Sequence, residues 1–354
     1  MKGNIFSYSG EEFSVERFKA RKNSIINAIN NGKRSPCTGC RFLEKKVWPK
    51  NEHLINHIII GHYGLCNFKC AYCYTVTDAP LNKQPYNAYT TIKSMKEMGI
   101  LSPTCQIDWV NGEPVILSEF YPVMEMAYNS GMRSTILTNC TIYSDVVAKG
   151  LLNKTMSVVC SVDAGTRETY NLIKGRDSYD KVWDTINRYA KLNSENVILK
   201  YIFTDDNSNE IDVIGFVSKC KAANIGNIHI SQDVMKYRSR RSEKIQSLPP
   251  EIINSVINML FEAYKVNIKT EILSEYFIDK DIWLIKLKLL QTMAMSDFIG
   301  NELYIKALMD SFANELADDL NKVQMNDINA SGNKVTEYVV KSVANVLSKL
   351  SIRI

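Results

Sequence analysis

The sequence predicts an α/β fold, a partial (β/α)6 TIM-type barrel with an N-terminal helical extension and a C-terminal helical subdomain. Three observations predict this fold. Short apolar segments typical of strands alternate with helical segments from about residue 56 to residue 240. Alternation of this kind favours right-handed βαβ units and hence a parallel sheet. The 354 residues, 45% of them hydrophobic, are also enough to bury a large core.

The barrel elements follow one another at regular spacing. Each predicted strand is rich in β-branched and other apolar residues, and each predicted helix carries apolar residues three or four apart. We expect strands at 58–63, 106–110, 134–139, 157–165, 197–204 and 228–232, and helices at 117–129, 144–150, 166–176, 180–192 and 210–223.

The flanking regions have a helical pattern. A helix is expected over 11–31, and four more over 250–265, 281–293, 301–323 and 335–350, where apolar residues repeat along one face. We therefore divide the chain into an N-terminal extension (1–55), a barrel (56–240) and a C-terminal helical subdomain (241–354).

Composition and charge narrow the class of protein. There is no apolar run near the ~20 residues that a membrane span needs, and no signal-peptide pattern at the N-terminus. Nine cysteines without the spacing of a disulfide scaffold favour a reducing compartment, so we expect a cytoplasmic protein that does not bind membranes. The net charge of +5 is small, and the basic segment 236–244 is short, so nucleic acid is not the favoured partner, although it stays open.

Three cysteines within eight residues are the most informative feature of the chain. Cys66, Cys70 and Cys73 form a C-x3-C-x2-C pattern directly after the first predicted strand. They supply three thiolates where a tetrahedral zinc site needs four ligands, which leaves one coordination position open for chemistry. The carboxyl end of a strand is also where barrel enzymes keep their active sites.

A structural zinc site is the alternative for this triple. It would need a fourth ligand from elsewhere in the chain, and Cys37, Cys40, His57 and His62 are candidates. No second C-x2-C pair completes a four-cysteine site with Cys37 and Cys40. The cysteines after the triple are isolated from one another, and none follows Cys220. The role of Cys37 and Cys40 therefore stays open between an auxiliary cluster, a redox-active pair and a plain turn.

The triple, with the aromatic Tyr72 before its last cysteine, resembles the signature of the radical S-adenosylmethionine (radical SAM) superfamily. The resemblance covers residues 57–235, about half of the chain. It implies that Cys66, Cys70 and Cys73 hold a [4Fe–4S] cluster whose fourth iron binds S-adenosylmethionine. In that family, an electron from the cluster cleaves the cofactor to a 5′-deoxyadenosyl radical, which removes a hydrogen atom from the substrate.

A second segment, Asn111-Gly-Glu-Pro114, follows the second predicted strand and resembles the Gly-Gly-Glu-Pro segment of the same family. Asn111 replaces the first glycine, which raises the question whether the backbone there has a positive φ, a conformation that Asn tolerates better than most residues. The resemblance makes Gly112 and Glu113 candidate cofactor contacts, with Glu113 as acceptor for the methionyl ammonium. Taken alone, the segment is also compatible with an ordinary turn.

The end of the fourth predicted strand supplies further candidates. Strand alternation places Ser161 and Asp163 on one face. The resemblance implies that polar side chains at this position, together with Tyr72 in the cysteine loop, contact the cofactor. Helix capping and turn formation before the helix that starts near Thr166 remain the alternative for Ser161 and Asp163.

Two functional hypotheses follow. The first is a radical SAM enzyme, an oxidoreductase or transferase, that acts on a peptide or small polar metabolite and takes its electron from a reductant such as flavodoxin or ferredoxin. The second is a non-catalytic metal-binding or redox-sensing protein that uses the cysteines as ligands. No residue that acts on the substrate itself can be assigned from the sequence.

Overall fold

The computed structural model describes residues 14–36, 38, 54–73, 86–233 and 248–295. The predicted pair Cys37 and Cys40, the basic segment 236–244 and the predicted helices 301–323 and 335–350 lie wholly or mainly outside these residues. No helix in the described ranges is long and apolar enough to cross a lipid bilayer.

Seven parallel strands form one sheet in the order β1-β2-β3-β4-β5-β6-β7. Strand order that equals chain order, with helices between the strands, confirms the predicted α/β class and the parallel sheet of a partial TIM-type barrel. The strands are β1 (Ile55–Ile60), β2 (Leu101–Trp109), β3 (Arg133–Thr138), β4 (Met156–Ser161), β5 (Val197–Phe203), β6 (Asn227–Gln232) and β7 (Lys269–Ile272).

The helices begin and end where the sequence provides caps. Asn87, Thr166 and Asn209 each accept a backbone hydrogen bond at a helix N-terminus, and Gly175 closes one helix with φ 65°. The helices are α1 (Val15–Asn30), α2 (Ala88–Glu97), α3 (Phe120–Asn129), α4 (Asp145–Leu152), α5 (Arg167–Lys174), α6 (Tyr179–Asn193), α7 (Glu210–Ala222), α8 (Pro250–Lys265) and α9 (Asp279–Met295).

The chain divides into two compact units. Unit 1 comprises residues 1–160 and 180–197, and unit 2 comprises residues 161–179 and 198–354. In unit 1, residues of β2 such as Ile107 and Trp109 alternate with more exposed neighbours and are buried beneath α3 residues such as Phe120. In unit 2, Tyr201 of β5 is fully buried against Phe216 of α7. The predicted domain boundaries at residues 55 and 240 stay predictions.

Several elements differ from the predictions. The first strand, predicted at 58–63, spans Ile55–Ile60, and helix α2 was not predicted. The fourth strand ends at Ser161 and not at residue 165, because Asp163 has φ 63°, which no strand accommodates. The predicted helix 117–129 begins only at Phe120, since Pro114–Ile116 form a separate 3-10 turn. Strand β7 was missed because it has only four residues, and its alternate residues Lys269 and Glu271 are charged and exposed.

Candidate cofactor site

The cysteine loop leaves the carboxyl end of β1. After Ile60 the chain has no regular structure up to Cys73, and the side chains of Cys66, Cys70 and Cys73 are all half-buried free thiols. The N–H of Cys73 donates to the carbonyl of Cys70 at 3.0 Å, which closes the second half of the loop as a turn. The loop lies wholly in unit 1, at the strand end where the sequence predicts it.

The Asn-Gly-Glu-Pro turn is fastened to this loop. The N–H of Glu113 donates to the carbonyl of Leu65 at 2.8 Å, and the Asn111 side-chain amide donates to the carbonyl of Gly61 at 2.9 Å. Asn111 and Gly112 have φ of 70° and 58°, so the backbone at Asn111 does adopt a positive φ. A Cβ on Gly112 would lie 2.3 Å from the Leu65 carbonyl oxygen, so only glycine fits here.

The Glu113 carboxylate is buried beneath the loop. It is 1% exposed and accepts hydrogen bonds from Thr138 Oγ1 at 2.8 Å, Val115 N at 3.3 Å and Asn139 N at 2.6 Å. Burial raises the pKa of Glu113 to about 7, although these hydrogen bonds act in the opposite direction. A carboxylate has about four acceptor positions. Glu113 therefore joins the turn to the end of β3 and keeps one acceptor position for a further donor.

Asn139 is a site residue that the sequence analysis missed. Its amide donates to Asn67 Oδ1 at 2.6 Å and lies 3.8 Å from Cys66 Sγ. The N–H of Phe68 also donates to Cys66 Sγ, at 3.4 Å. Hydrogen bonds of this kind stabilise thiolate sulfur in iron–sulfur sites. The signal in the sequence is only that Asn139 is a polar residue directly after a parallel strand.

The thiols need a positive partner to ionise. The pKa of Cys66 is raised to about 11. Burial is the main cause, and the charges of Glu113, Cys70 and Cys73 act in the same direction, while the Phe68 hydrogen bond acts against them. A cationic metal centre reverses this balance, because a coordinating thiol is deprotonated outright. The donor set therefore fits an iron–sulfur cluster, in which each thiolate binds a different iron atom.

The zinc alternative would need a fourth ligand beside the three cysteines. Within the described ranges, no three His, Cys, Asp or Glu side chains are arranged to hold one metal ion. Of the candidates for a fourth zinc ligand, His57 lies with Nε2 2.7 Å from Asp108, and His62 lies with Nε2 2.7 Å from Glu119. The candidates Cys37 and Cys40 lie outside the described residues.

The remaining predicted contacts, Tyr72, Ser161 and Asp163, are divided between the two units. Tyr72 is half-buried in the cysteine loop of unit 1, close in sequence to Cys73. Ser161 and Asp163 belong to unit 2, where Ser161 is half-buried at the end of β4. Of the predicted contacts outside the loop itself, Gly112 and Glu113 are the two that lie against the cysteine loop.

Asp163 is fully buried and forms an ion pair with Lys174 Nζ at the end of α5. Its Oδ1 also accepts from the N–H of Ile202 at 2.7 Å, and its carbonyl accepts from Asn207 Nδ2 at 2.8 Å. The sequence analysis missed Lys174, which is 2% exposed. Asp163 therefore connects helix α5, strand β5 and the loop that follows β5 within unit 2.

Fold and site together define an α/β protein with a thiolate loop at the carboxyl end of its first parallel strand. The sequence profile of the Radical SAM superfamily matches residues 60–217. The chain therefore carries a radical SAM domain, which confirms the resemblance described above. The match implies S-adenosylmethionine and an iron–sulfur cluster as the cofactors of this domain.

Two curated relatives each match a little less than half of the chain. The molybdenum cofactor biosynthesis protein moc-5 of Caenorhabditis elegans is 25% identical over 167 residues, which are 45% of this chain and 27% of that protein. An uncharacterized protein of Methanocaldococcus jannaschii is 24% identical over 161 residues, or 44% of this chain and 49% of that protein. The match thus spans about a quarter and about half of the lengths of these relatives.

Solved structures with a similar fold include SuiB of Streptococcus suis. SuiB has a TM-score of 0.46 at 12% identity, covering 77% of this chain and 56% of SuiB. Native anSMEcpe with bound AdoMet has a TM-score of 0.47 at 18% identity, covering 69% of this chain and 68% of that chain.

Proposed function

We propose that this chain is a radical SAM enzyme that acts on a peptide or a small polar metabolite. The observation that supports the proposal best is the attachment of the Asn111–Glu113 turn to the loop of Cys66, Cys70 and Cys73. A [4Fe–4S] cluster on these cysteines would supply the electron that splits S-adenosylmethionine into methionine and a 5′-deoxyadenosyl radical, which removes a hydrogen atom from the substrate.

The residues of unit 1 have separate roles in this proposal. Cys66, Cys70 and Cys73 bind three irons and leave the fourth for the cofactor. Gly112 lets the turn approach the loop backbone, and Glu113 accepts a hydrogen bond from the methionyl ammonium at its remaining acceptor position. Asn139 and the N–H of Phe68 donate to the sulfur of Cys66, which favours the reduced cluster.

Other parts of the proposal come from the family resemblance. On that basis we propose Tyr72, Ser161 and Asp163 as contacts of S-adenosylmethionine, and flavodoxin or ferredoxin as the electron donor. A cytoplasmic setting belongs to the same proposal, because a cluster with an open iron needs a reducing compartment.

Anaerobic reconstitution with iron and sulfide tests the cluster. We expect about four irons per chain, a reduced-state EPR spectrum that changes when S-adenosylmethionine is added, and release of 5′-deoxyadenosine under reduction. Cys66→Ala, Cys70→Ala and Cys73→Ala should each lose the cluster and the cleavage. Cys220→Ala, which removes a buried thiol of α7 in unit 2, should keep both. Cofactor cleavage in any of the three loop variants would contradict the assignment.

Glu113→Ala tests the cofactor contact separately. We expect the cluster to assemble and the affinity for S-adenosylmethionine to fall by about 1.5–3 kcal/mol, the value of a hydrogen bond to a charged group. Because Glu113 also accepts from Thr138, Thr138→Val is the control that removes one internal bond and keeps the carboxylate. Equal losses of affinity in both variants would assign Glu113 a purely structural role.

The alternative function makes a different prediction. A metal-binding or redox-sensing protein without catalysis would stay colourless with zinc, or would form a cluster that does not respond to S-adenosylmethionine. No match or contact described above favours it over the enzyme.

A further inference from the structure

A half-buried lysine lies on the face of β5 that points away from the helices of unit 2. Leu199, Tyr201 and Phe203 are fully buried, and the ring of Tyr201 lies 4.9 Å from that of Phe216 in α7. Side chains alternate along a strand, so Lys200 lies on the opposite face from α7. This face is the one that lines the interior of a parallel barrel.

The Lys200 ammonium has no carboxylate partner of its own. Among the described residues it forms no ion pair or hydrogen bond; its recorded contact is with the ring of Tyr276, whose centroid lies 4.8 Å from Nζ. The nearby carboxylate of Asp163 is already bound by Lys174 and by the N–H of Ile202. Three N–H donors of a partly desolvated cation are thus available to a ligand.

A buried hydroxyl lies on the same face of the neighbouring strand. Lys200 is in register with His229 of β6, and Ile202 is in register with Ser231, so Ser231 lies one strand and two residues from Lys200. Ser231 is 1% exposed, and its Oγ has no hydrogen-bond partner among the described residues. A buried hydroxyl without a partner carries a desolvation cost that no hydrogen bond offsets, so this position also favours a ligand.

We propose that Lys200 and Ser231 bind a carboxylate group of a ligand, with the Tyr276 ring bounding the site. Lys200 Nζ donates charge-assisted hydrogen bonds to one carboxylate oxygen, and Ser231 Oγ donates to the carboxylate as well. The anion site is argued from unit 2 alone. Its identification as the place where the substrate's carboxylate binds rests on the proposed function.

The surrounding charges favour a monoanion over a phosphate. Burial lowers the pKa of Lys200, while Asp163 and Glu275 raise it and Lys174 lowers it, so two carboxylates and two ammonium groups act on each other here. Their formal charges cancel. Because the attraction of Lys200 and Lys174 is offset by the repulsion of Asp163 and Glu275, this site cannot repay the larger desolvation cost of a dianionic phosphate, which exceeds that of a monoanionic carboxylate.

Fluorine NMR on the reconstituted chain with an oxidised cluster tests the site without S-adenosylmethionine or reductant. The probes are trifluoroacetate, a monocarboxylate, and monofluorophosphate, a dianion. We expect saturable broadening of the trifluoroacetate signal, with affinity reduced at least tenfold in Lys200→Met, within threefold of wild type in Lys200→Arg, and several-fold lower in Ser231→Ala. Lys219→Met is the matched control, since Lys219 Nζ also lies over a tyrosine ring, 5.0 Å from that of Tyr179, but on helix α7.

Each outcome decides the proposal. No saturable trifluoroacetate binding by the wild type, or equal binding by Lys200→Met and wild type, would overturn it. Tighter binding of monofluorophosphate than of trifluoroacetate would overturn the carboxylate assignment. If Lys200→Met fails to fold by circular dichroism, the Lys200→Arg and Ser231→Ala affinities decide the question. Failure of the radical SAM proposal would appear instead as loss of cofactor cleavage, which this measurement does not involve.

Discussion

The backbone carbonyl of Leu65 accepts a hydrogen bond from the N–H of Glu113 at 2.8 Å, across 48 residues of sequence. This bond joins the cysteine loop to the turn that carries the candidate cofactor acceptor. The backbone of Gly112 leaves no room for a Cβ beside the same carbonyl. The geometry of the loop therefore depends on the turn.

Gly112→Ala should disrupt this contact. The new Cβ would lie 2.3 Å from the Leu65 carbonyl oxygen, and a residue with φ 58° costs alanine about 1–2 kcal/mol before any clash is counted. Displacing backbone to make room adds about 1–3 kcal/mol. We expect a lower free energy of unfolding in urea and fewer irons per chain after reconstitution.

Gly99→Ala separates the two causes. Gly99 has φ 66° and no atom within 4 Å of an added Cβ, so this variant carries the conformational cost alone. It should destabilise the chain less than Gly112→Ala and retain a full complement of iron. Equal effects of the two variants would show that the approach to Leu65 is unimportant.

Asn139→Leu should lower the reduction potential of the cluster. The Asn139 amide lies 3.8 Å from Cys66 Sγ, and a donor at sulfur stabilises the extra negative charge of the reduced state. Leucine has a similar size and no donor. A potentiometric titration followed by EPR measures the shift, and Asn153→Leu, at the exposed end of α4, is the control with no expected shift. A more positive potential in Asn139→Leu would contradict the role of this bond.

The sequence predicts the framework of the fold well, because each strand and helix carries its own periodicity. In β4, Val158 and Cys160 are fully buried while Ser157 and Ser161 are half-buried, which is the alternation expected for a strand with one covered face. The short strand β7 alternates only between exposed and half-buried residues and buries none fully, so its pairing with β6 is what defines it.

The site is predictable only in part. Cys66 and Glu113 are found through motifs of fixed spacing. Asn139 and Lys174 are not, because their roles come from partners that the fold brings to them: Asn139 reaches Asn67 over 72 residues. The positive φ of Asp163 has no strong local signal either, since aspartate also occurs in ordinary strand ends and turns.

His229 should make the stability of unit 2 sensitive to acid. Burial lowers the pKa of His229 below its ordinary value of 6.5, and Lys200 lowers it further, whereas Glu271 and Glu275 raise it. The unfolded chain therefore binds more protons than the folded chain at pH values just below 6.5. Folding stability is fully present above that pH and falls as the pH drops through it.

Urea unfolding at pH 7.5 and 5.5 measures this effect. His229→Gln should lose less stability between the two pH values than the wild type. Glu271→Gln should lose more, because the carboxylate that lies 3.3 Å from His229 Nε2 stabilises the protonated ring. The same pH dependence in all three proteins would exclude His229 as its source.

The buried ion pair of Asp163 and Lys174 should be strongly coupled. Their side chains are 0% and 2% exposed, so removing either partner leaves an uncompensated charge in the core, at a cost of about 3–5 kcal/mol. Asp163→Asn keeps a residue that tolerates φ 63°, and Lys174→Met keeps the volume of the aliphatic stem. The double variant should lose less stability in urea than the sum of the two single variants.

The exposed pair of Arg167 and Asp177 provides the matched control. Its side chains are 43% and 61% exposed at 3.0 Å, so Asp177→Asn should cost less than about 1 kcal/mol. Binding of S-adenosylmethionine to the folded variants then separates the two roles of Asp163. A purely structural carboxylate predicts equal affinity in Asp163→Asn and Lys174→Met, whereas a direct cofactor contact predicts a loss confined to Asp163→Asn, because only that variant changes the group that faces the cofactor.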